Sequence, residues 1–178
     1  SKLNAIKAYI NPHFLFNSLN SVNSLINSDP ERARSILINM SDYFRACIKI
    51  KDSGLIKLED EINNVYMYFD IEKERFFDRI EFEQEIDLEC LNAELPPMIL
   101  QPLFENIIKH AVTESTEKIN IKLKVSSRPD DYVEIQLSNN YDKDIVPSVK
   151  GEGLGLDACR RRMSLQFSRD DLFFVNKS

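Results

Sequence analysis

Near residue 77 the spacing of apolar side chains changes from the period of a helix to the period of a strand, and that switch constrains the fold most. Upstream, Leu15, Leu19, Val22 and Ile26 fall on one face of a predicted helix over 13–27. In "NSDPERARS", Asp29 can cap a second helix and Pro30 can take its first position. That helix carries Ala33, Ile36, Leu37, Met40, Phe44 and Cys47 at helical spacing, so the pair is expected as an antiparallel hairpin closed by "KDSG" at 51–54. A third helix over about 58–76 sets Leu58, Ile62, Val65, Phe69 and Phe76 on one side. Downstream, "RIEFEQEID" alternates as a strand, and "PPMILQPLFENIIKHAV" reads as a helix with Pro102 in its first turn. Residues 118–139 read as a β-hairpin through Ile119, Ile121, Leu123 and Val125. An irregular stretch over 140–153, a helix over 154–166 and a closing strand "DLFFV" complete the reading. The expected class is α+β: a helical region 1–76 and an α+β region 77–178, with the boundary near 77–79.

Composition narrows the function. A net charge of −6 argues against a nucleic-acid surface, which relies on clustered cations. Cys47, Cys90 and Cys159 are scattered without CxxC spacing, which argues against a disulfide framework or zinc site and for a reducing cytoplasm. No apolar run approaches the roughly 20 residues that span a bilayer. The opening "SKLNAIKAYI" already reads as helix, so the chain is expected to be a piece of a longer protein.

Three stretches can carry chemistry. In "YINPHFLFNSLNSVNSLI", His13, Asn17, Asn20, Ser24 and Asn27 form a polar stripe opposite the apolar one, with Asn23 at its flank. The imidazole is therefore expected to point outward, where a neutral ring is a capable nucleophile once its other nitrogen is oriented. Asn17, one turn on, is the nearest candidate orienter. In "ENIIKH", Glu105, Asn106, Lys109 and His110 cluster on adjacent polar positions, a set suited to a magnesium nucleotide. In "GEGLGL", Gly151, Gly153 and Gly155 precede a helix, and backbone amides at such a start can cradle phosphate. That loop fits neither the Walker nor the dinucleotide pattern. Taken singly, the first two read as solvated helix faces, and the third serves equally well as a flexible loop.

In combination, "NPHFLFNSLNSV", "LQPLFENIIKHAV" and "GEGLGL" resemble the LytS/YehU-type sensor histidine kinases over nearly the whole chain. The resemblance implies an N-terminal helical dimerisation and phosphotransfer region followed by an ATP-binding α/β sandwich of the GHKL type. It implies His13 as phosphoacceptor, Asn106 as the magnesium-associated asparagine, and Glu105 as a group positioning water or metal. Lys109 and His110 become nucleotide-site neighbours, and the three glycines the phosphate loop. Asn139 aligns with a family aspartate that contacts adenine, and Tyr141, Ala111 and Ala158 also depart from the common pattern. Within "CRRRM", Arg160 and Arg162 match basic positions near phosphates, whereas Arg161 reads as solvated. Tyr68, Glu72 and Arg75 match the family's linker helix. ATP and Mg²⁺ as cofactors, a homodimer, a response-regulator receiver domain as partner and a membrane-anchored parent with this portion in the cytoplasm are implied in turn. Two rival readings are a nucleotide-sensing dimeric scaffold of little activity and a GHKL ATPase or serine kinase.

Overall fold

The computed structural model describes residues 11–49, 54–76, 79–114, 118–129, 131–140 and 154–175. The chain is a mixed helix-and-sheet protein that divides into two compact units. One comprises Ser1–Ser53 with Ile62–Ile80, the other Gly54–Glu61 with Glu81–Ser178. The division therefore differs from a single cut at 77–79, because Gly54–Glu61 groups with the later residues.

In the first unit, α1 (Pro12–Leu25) and α2 (Pro30–Lys49) pack side by side across a short connection. Asn11 caps α1 by accepting the His13 N–H at 3.0 Å, with Pro12 as the first helical residue. Asp29 does the same for α2 through the Arg32 N–H at 3.2 Å. The buried face of α1 is Phe14, Ser18 and Val22. This corrects the expected stripe, since Leu19 is 44 % and Ile26 52 % exposed. On α2 the core comprises Ala33, Ile36, Met40, Tyr43 and Cys47, and the expected Leu37 lies outside it. Both corrections have one cause: helical periodicity fixes which residues share a face, but the partner decides which neighbouring face is covered. Here the partner is aromatic. Phe14 meets Tyr43 edge-on at 5.5 Å and Tyr68 at 4.9 Å. Tyr68 belongs to α3 (Leu58–Phe76), whose Ile62, Val65, Phe69 and Ile71 are also buried. Arg32 bridges the start of α2 to Glu74 at 3.2 Å.

In the second unit, the short strands β1 (Ile56–Lys57) and β3 (Glu94–Leu95) pair antiparallel. A three-stranded sheet has the order β2 (Ile80–Ile86), β4 (Ile119–Arg128), β5 (Tyr132–Asn139). The β4–β5 hairpin runs in register from Arg128 opposite Tyr132 to Ile121 opposite Asn139. Ile119, Ile121, Leu123 and Val125 bury their common face, as the alternation predicts. Complete burial of each such side chain stabilises by about 1.5–3 kcal/mol. Helix α4 (Leu100–Glu114) contributes Phe104, which meets Phe82 of β2 edge-on at 5.1 Å. Pro102 sits in its first turn, where a missing N–H costs nothing. Helix α5 (Leu154–Phe167) follows. The expected last strand is not formed: residues 171–175 are bends and irregular chain, with Phe174 76 % exposed. β propensity reflects packing on a neighbouring strand, and the described sheet offers this run no partner.

Candidate functional site

His13 stands exposed in the first turn of α1, flanked on the same face by Asn17 and Asn20. The outward expectation holds. Asn17 meets the ring in an unexpected way: its side-chain nitrogen lies 3.2 Å from Nδ1 and 3.1 Å from Nε2. The Asn17 amide is thus within hydrogen-bonding distance of either ring nitrogen, and it donates to whichever one is unprotonated in the tautomer present. Beneath the helix, Phe14 is held between Tyr43 and Tyr68, so the residue next to the imidazole is anchored while the imidazole itself projects to solvent.

In the second unit, Glu105 and Asn106 are half-buried on α4, with Lys109 exposed one turn beyond. Glu105 accepts a 2.8 Å hydrogen bond from the buried Gln101 amide. His110 belongs to the same helix, but its side chain lies outside the described residues. Gly151 and Gly153 also lie outside them, and Gly155 falls in the first turn of α5. Asn139 ends β5, where its side-chain amide donates to the Asn140 carbonyl at 2.8 Å. Asn140 is pinned more firmly, accepting from the Asn120 N–H at 2.7 Å and donating to the Lys118 carbonyl at 2.8 Å. Arg160 pairs with Asp157 at 3.6 Å and lies over Phe173. Arg162 turns toward the start of α4 and donates to the Pro97 carbonyl at 2.6 Å.

The element that positions α4 was not anticipated. Glu61 of α3 is fully buried, and its carboxylate accepts from Met98 N–H at 2.9 Å, Ile99 N–H at 2.6 Å and Leu100 N–H at 2.8 Å. These are the orphan donors that open a helix, here satisfied by a side chain 37 to 39 residues away. Burial pushes the Glu61 carboxyl above the ordinary carboxylate range, and the amide hydrogen bonds pull it back down. Met98 takes φ 60, a left-handed conformation costing about 1–2 kcal/mol for a residue with a side chain. Arg162 holds the carbonyls of that turn, and the Cys159 thiol lies 3.5 Å from the Ile99 carbonyl. Desolvation pushes that thiol up to about 11, which keeps it in the neutral form at ordinary pH. One sequence signal could have found Glu61: it falls three residues after Leu58 and four before Val65, on the apolar stripe, where a carboxylate must find donors.

Among the described residues no group of three or more His, Cys, Asp and Glu side chains could hold a metal by itself. Glu105 and Asn106, consecutive and half-buried on α4, each carry an oxygen donor of the kind that suits Mg²⁺ carried mainly by nucleotide phosphates and water.

The histidine kinase family model matches residues 1–80. The chain is 31 % identical to Sensor protein LytS of Oceanobacillus iheyensis over its whole length, covering 32 % of that relative. It is 34 % identical to Sensor protein LytS of Staphylococcus epidermidis over 79 % of this chain and 24 % of the relative. It is 31 % identical to Sensor histidine kinase BtsS of Escherichia coli over 96 % of this chain and 30 % of the relative. The chain belongs to the LytS-type sensor histidine kinases, and it spans about a third of the length of the first of these relatives.

Proposed function

We propose that this chain carries the ATP-dependent autophosphorylation machinery of such a kinase, with His13 as phosphoacceptor. The supporting observation is the His13 ring itself, exposed at a capped helix start with the Asn17 amide beside its ring nitrogens. One ring nitrogen forms the new N–P bond as the bond between the γ-phosphorus and its bridging oxygen breaks, with ADP as leaving group and the ring proton released. Asn106, together with Glu105, would hold the magnesium-bound phosphates, and Lys109 would neutralise charge on them; His110, Gly151 and Gly153 are assigned to the same cradle, with Gly155 in the first turn of α5. Mg²⁺ supplies charge neutralisation when bound; everything else is positioning. Asn139 accepts from the adenine amino group in place of an aspartate, and Arg160 lies toward the phosphates. Arg162 acts from the start of α4, where its guanidinium is engaged. The second unit, with helices beside a three-stranded sheet, is read as a GHKL-type sandwich.

The apolar side chains left exposed on α1 and α2, Phe16, Leu19, Leu37, Ile38 and Ile48, together with Ile26 at the end of α1, support pairing with a second copy into a four-helix bundle. The phosphoryl group then passes to an aspartate of a response-regulator receiver domain. No described helix is long and apolar enough to cross a membrane; the membrane anchor is assigned to the rest of the parent protein, with this portion on the cytoplasmic side. The test is incubation with γ-labelled ATP: the wild type gains acid-labile label, and His13→Gln abolishes it while still binding Mg-ADP. A His13→Gln protein that labels normally refutes the assignment.

A second reading, a nucleotide-sensing scaffold with little kinase activity, is favoured by Asn139 alone, whose amide is turned to the Asn140 carbonyl. Calorimetry with Mg-ADP in large excess separates the two, since the scaffold with an impaired adenine strand gives no heat.

A further inference from the structure

We infer that Glu61 is a positioning residue for the nucleotide site: by gripping the amides that open α4, it fixes the helical rotation at which Glu105, Asn106 and Lys109 are presented. The inference rests on the reading of α4 as the nucleotide helix.

The geometry of the grip goes beyond an ordinary cap. Both carboxylate oxygens are used, Oε2 on Met98 N–H and Oε1 on Ile99 and Leu100 N–H, and the group is entirely shielded from solvent. The turn it grips is held from the other side as well, for Arg162 donates to the carbonyls of Pro97 and Met98 at 2.6 and 3.3 Å. An anion on the N–H side and a cation on the C=O side thus clamp one strained turn, which carries Met98 at φ 60. Glu61 reaches it from α3, not from α4. The first turn of α4 is therefore set by something other than its own local sequence, in which Pro96, Pro97 and Pro102 each lack a donor.

Asn106 and Glu105 lie one to two turns along from that clamp. A helix whose opening turn frays or rotates presents its polar face over a range of angles, and only one of them suits the phosphates. A ligand that needs the formed start then pays for forming it, and its apparent affinity falls by the fraction of molecules in the competent state. The same linkage runs in reverse: a bound nucleotide must tighten the clamp.

Glu61→Gln is isosteric but turns an NH₂ group against amides that need an acceptor. At a temperature where circular dichroism shows the variant folded, the expected result is a dissociation constant for Mg-ADP raised about tenfold. The KM for ATP in self-labelling rises in parallel, while kcat at saturating ATP stays within about threefold of the wild type, because bound nucleotide restores the start. Glu61→Asp, which keeps the charge on a shorter arm, falls between the two. A cap that serves stability alone would lower the melting temperature and leave affinity and KM where they were. Should Glu61→Gln not fold, amide exchange of the wild type decides: saturating Mg-ADP slows exchange at Met98, Ile99 and Leu100, with the amides of α2 as an unchanged reference. Wild-type affinity in a folded Glu61→Gln, or indifference of those three amides to nucleotide, overturns the inference and leaves the proposed function standing. A wild type that binds no Mg-ADP removes the proposed function, and the inference with it.

Discussion

The two helices that carry the candidate chemistry begin in opposite ways. Helix α1 opens on a neutral, partly exposed Asn11 that satisfies one amide at 3.0 Å, and His13 in its first turn faces water. Helix α4 opens on a buried carboxylate that accepts from the Met98, Ile99 and Leu100 amides, with a guanidinium on the carbonyls behind it. A neutral cap at the surface contributes about 1 kcal/mol and lets a first turn breathe. A buried charged acceptor is far more costly to dislodge, because removing its partners strands the charge. The contrast suits the two proposed tasks: a nucleophile would have to meet a phosphorus atom delivered from elsewhere, whereas groups around a triphosphate would have to stay where they are.

The largest effect expected from breaking this contrast is on α4. Asn106→Ala should lower the initial rate of acid-labile labelling by about a hundredfold or more, since on the proposed reading the amide holds the magnesium-bound phosphates in place for transfer. Its melting temperature should stay close to the wild-type value, because Asn106 is only half-buried. Labelling at an undiminished rate would remove Asn106 from the site and with it the reason for a fixed α4.

On α1 the anchor is apolar, so the effect moves from rate to stability. Phe14→Ala deletes a ring that is 3 % exposed and sits against Tyr43 and Tyr68. Denaturant titration should show a loss of about 3–5 kcal/mol, with an unchanged slope. A loss under about 1 kcal/mol would mean that His13 rides on a loose helix from the outset. Asn11→Ala is gentler, at about 1 kcal/mol, and should speed amide exchange at His13 without affecting Mg-ADP affinity.

Most of the secondary structure was legible because it rests on short-range chemistry. Asn11-Pro12 and Asp29-Pro30 start helices through contacts two or three residues away. The β4–β5 hairpin followed from alternation at Ile119, Ile121, Leu123 and Val125. The missed features depend on a partner distant in sequence. Phe14 displaced Leu15 and Leu19 from the core because Tyr43 and Tyr68 happen to face it. Glu61 sits on the apolar stripe of its own helix, and only the fold brings Met98, Ile99 and Leu100 to it. "DLFFV" failed as a strand for the converse reason, since its apolar residues find no described ladder to join. Of the site, the outward His13 and the shared helix of Glu105 and Asn106 were readable from helical position, whereas the partial burial of that pair and the contact of Asn17 with both ring nitrogens were not.

The smallest expected effect calibrates the contrast. Glu85 on β2 is bonded to Lys122 and lies 3.6 Å from Lys124, but unlike Glu61 it is exposed. The Lys122 hydrogen bond and charge hold its carboxyl below the usual range. A depressed folded-state value means that the pair stabilises above the ordinary glutamate range, and that this support is lost as pH falls through the depressed value. Water and salt screen such a pair, so Glu85→Gln should leave the melting temperature at neutral pH and physiological salt within measurement error. Any difference should be visible only at low salt and should vanish in acid, where the wild-type carboxyl is protonated too. A carboxylate earns structural weight by what it grips and how dry it is. If Glu85→Gln destabilised the protein as much as Phe14→Ala does, burial would not be the property that sets Glu61 apart.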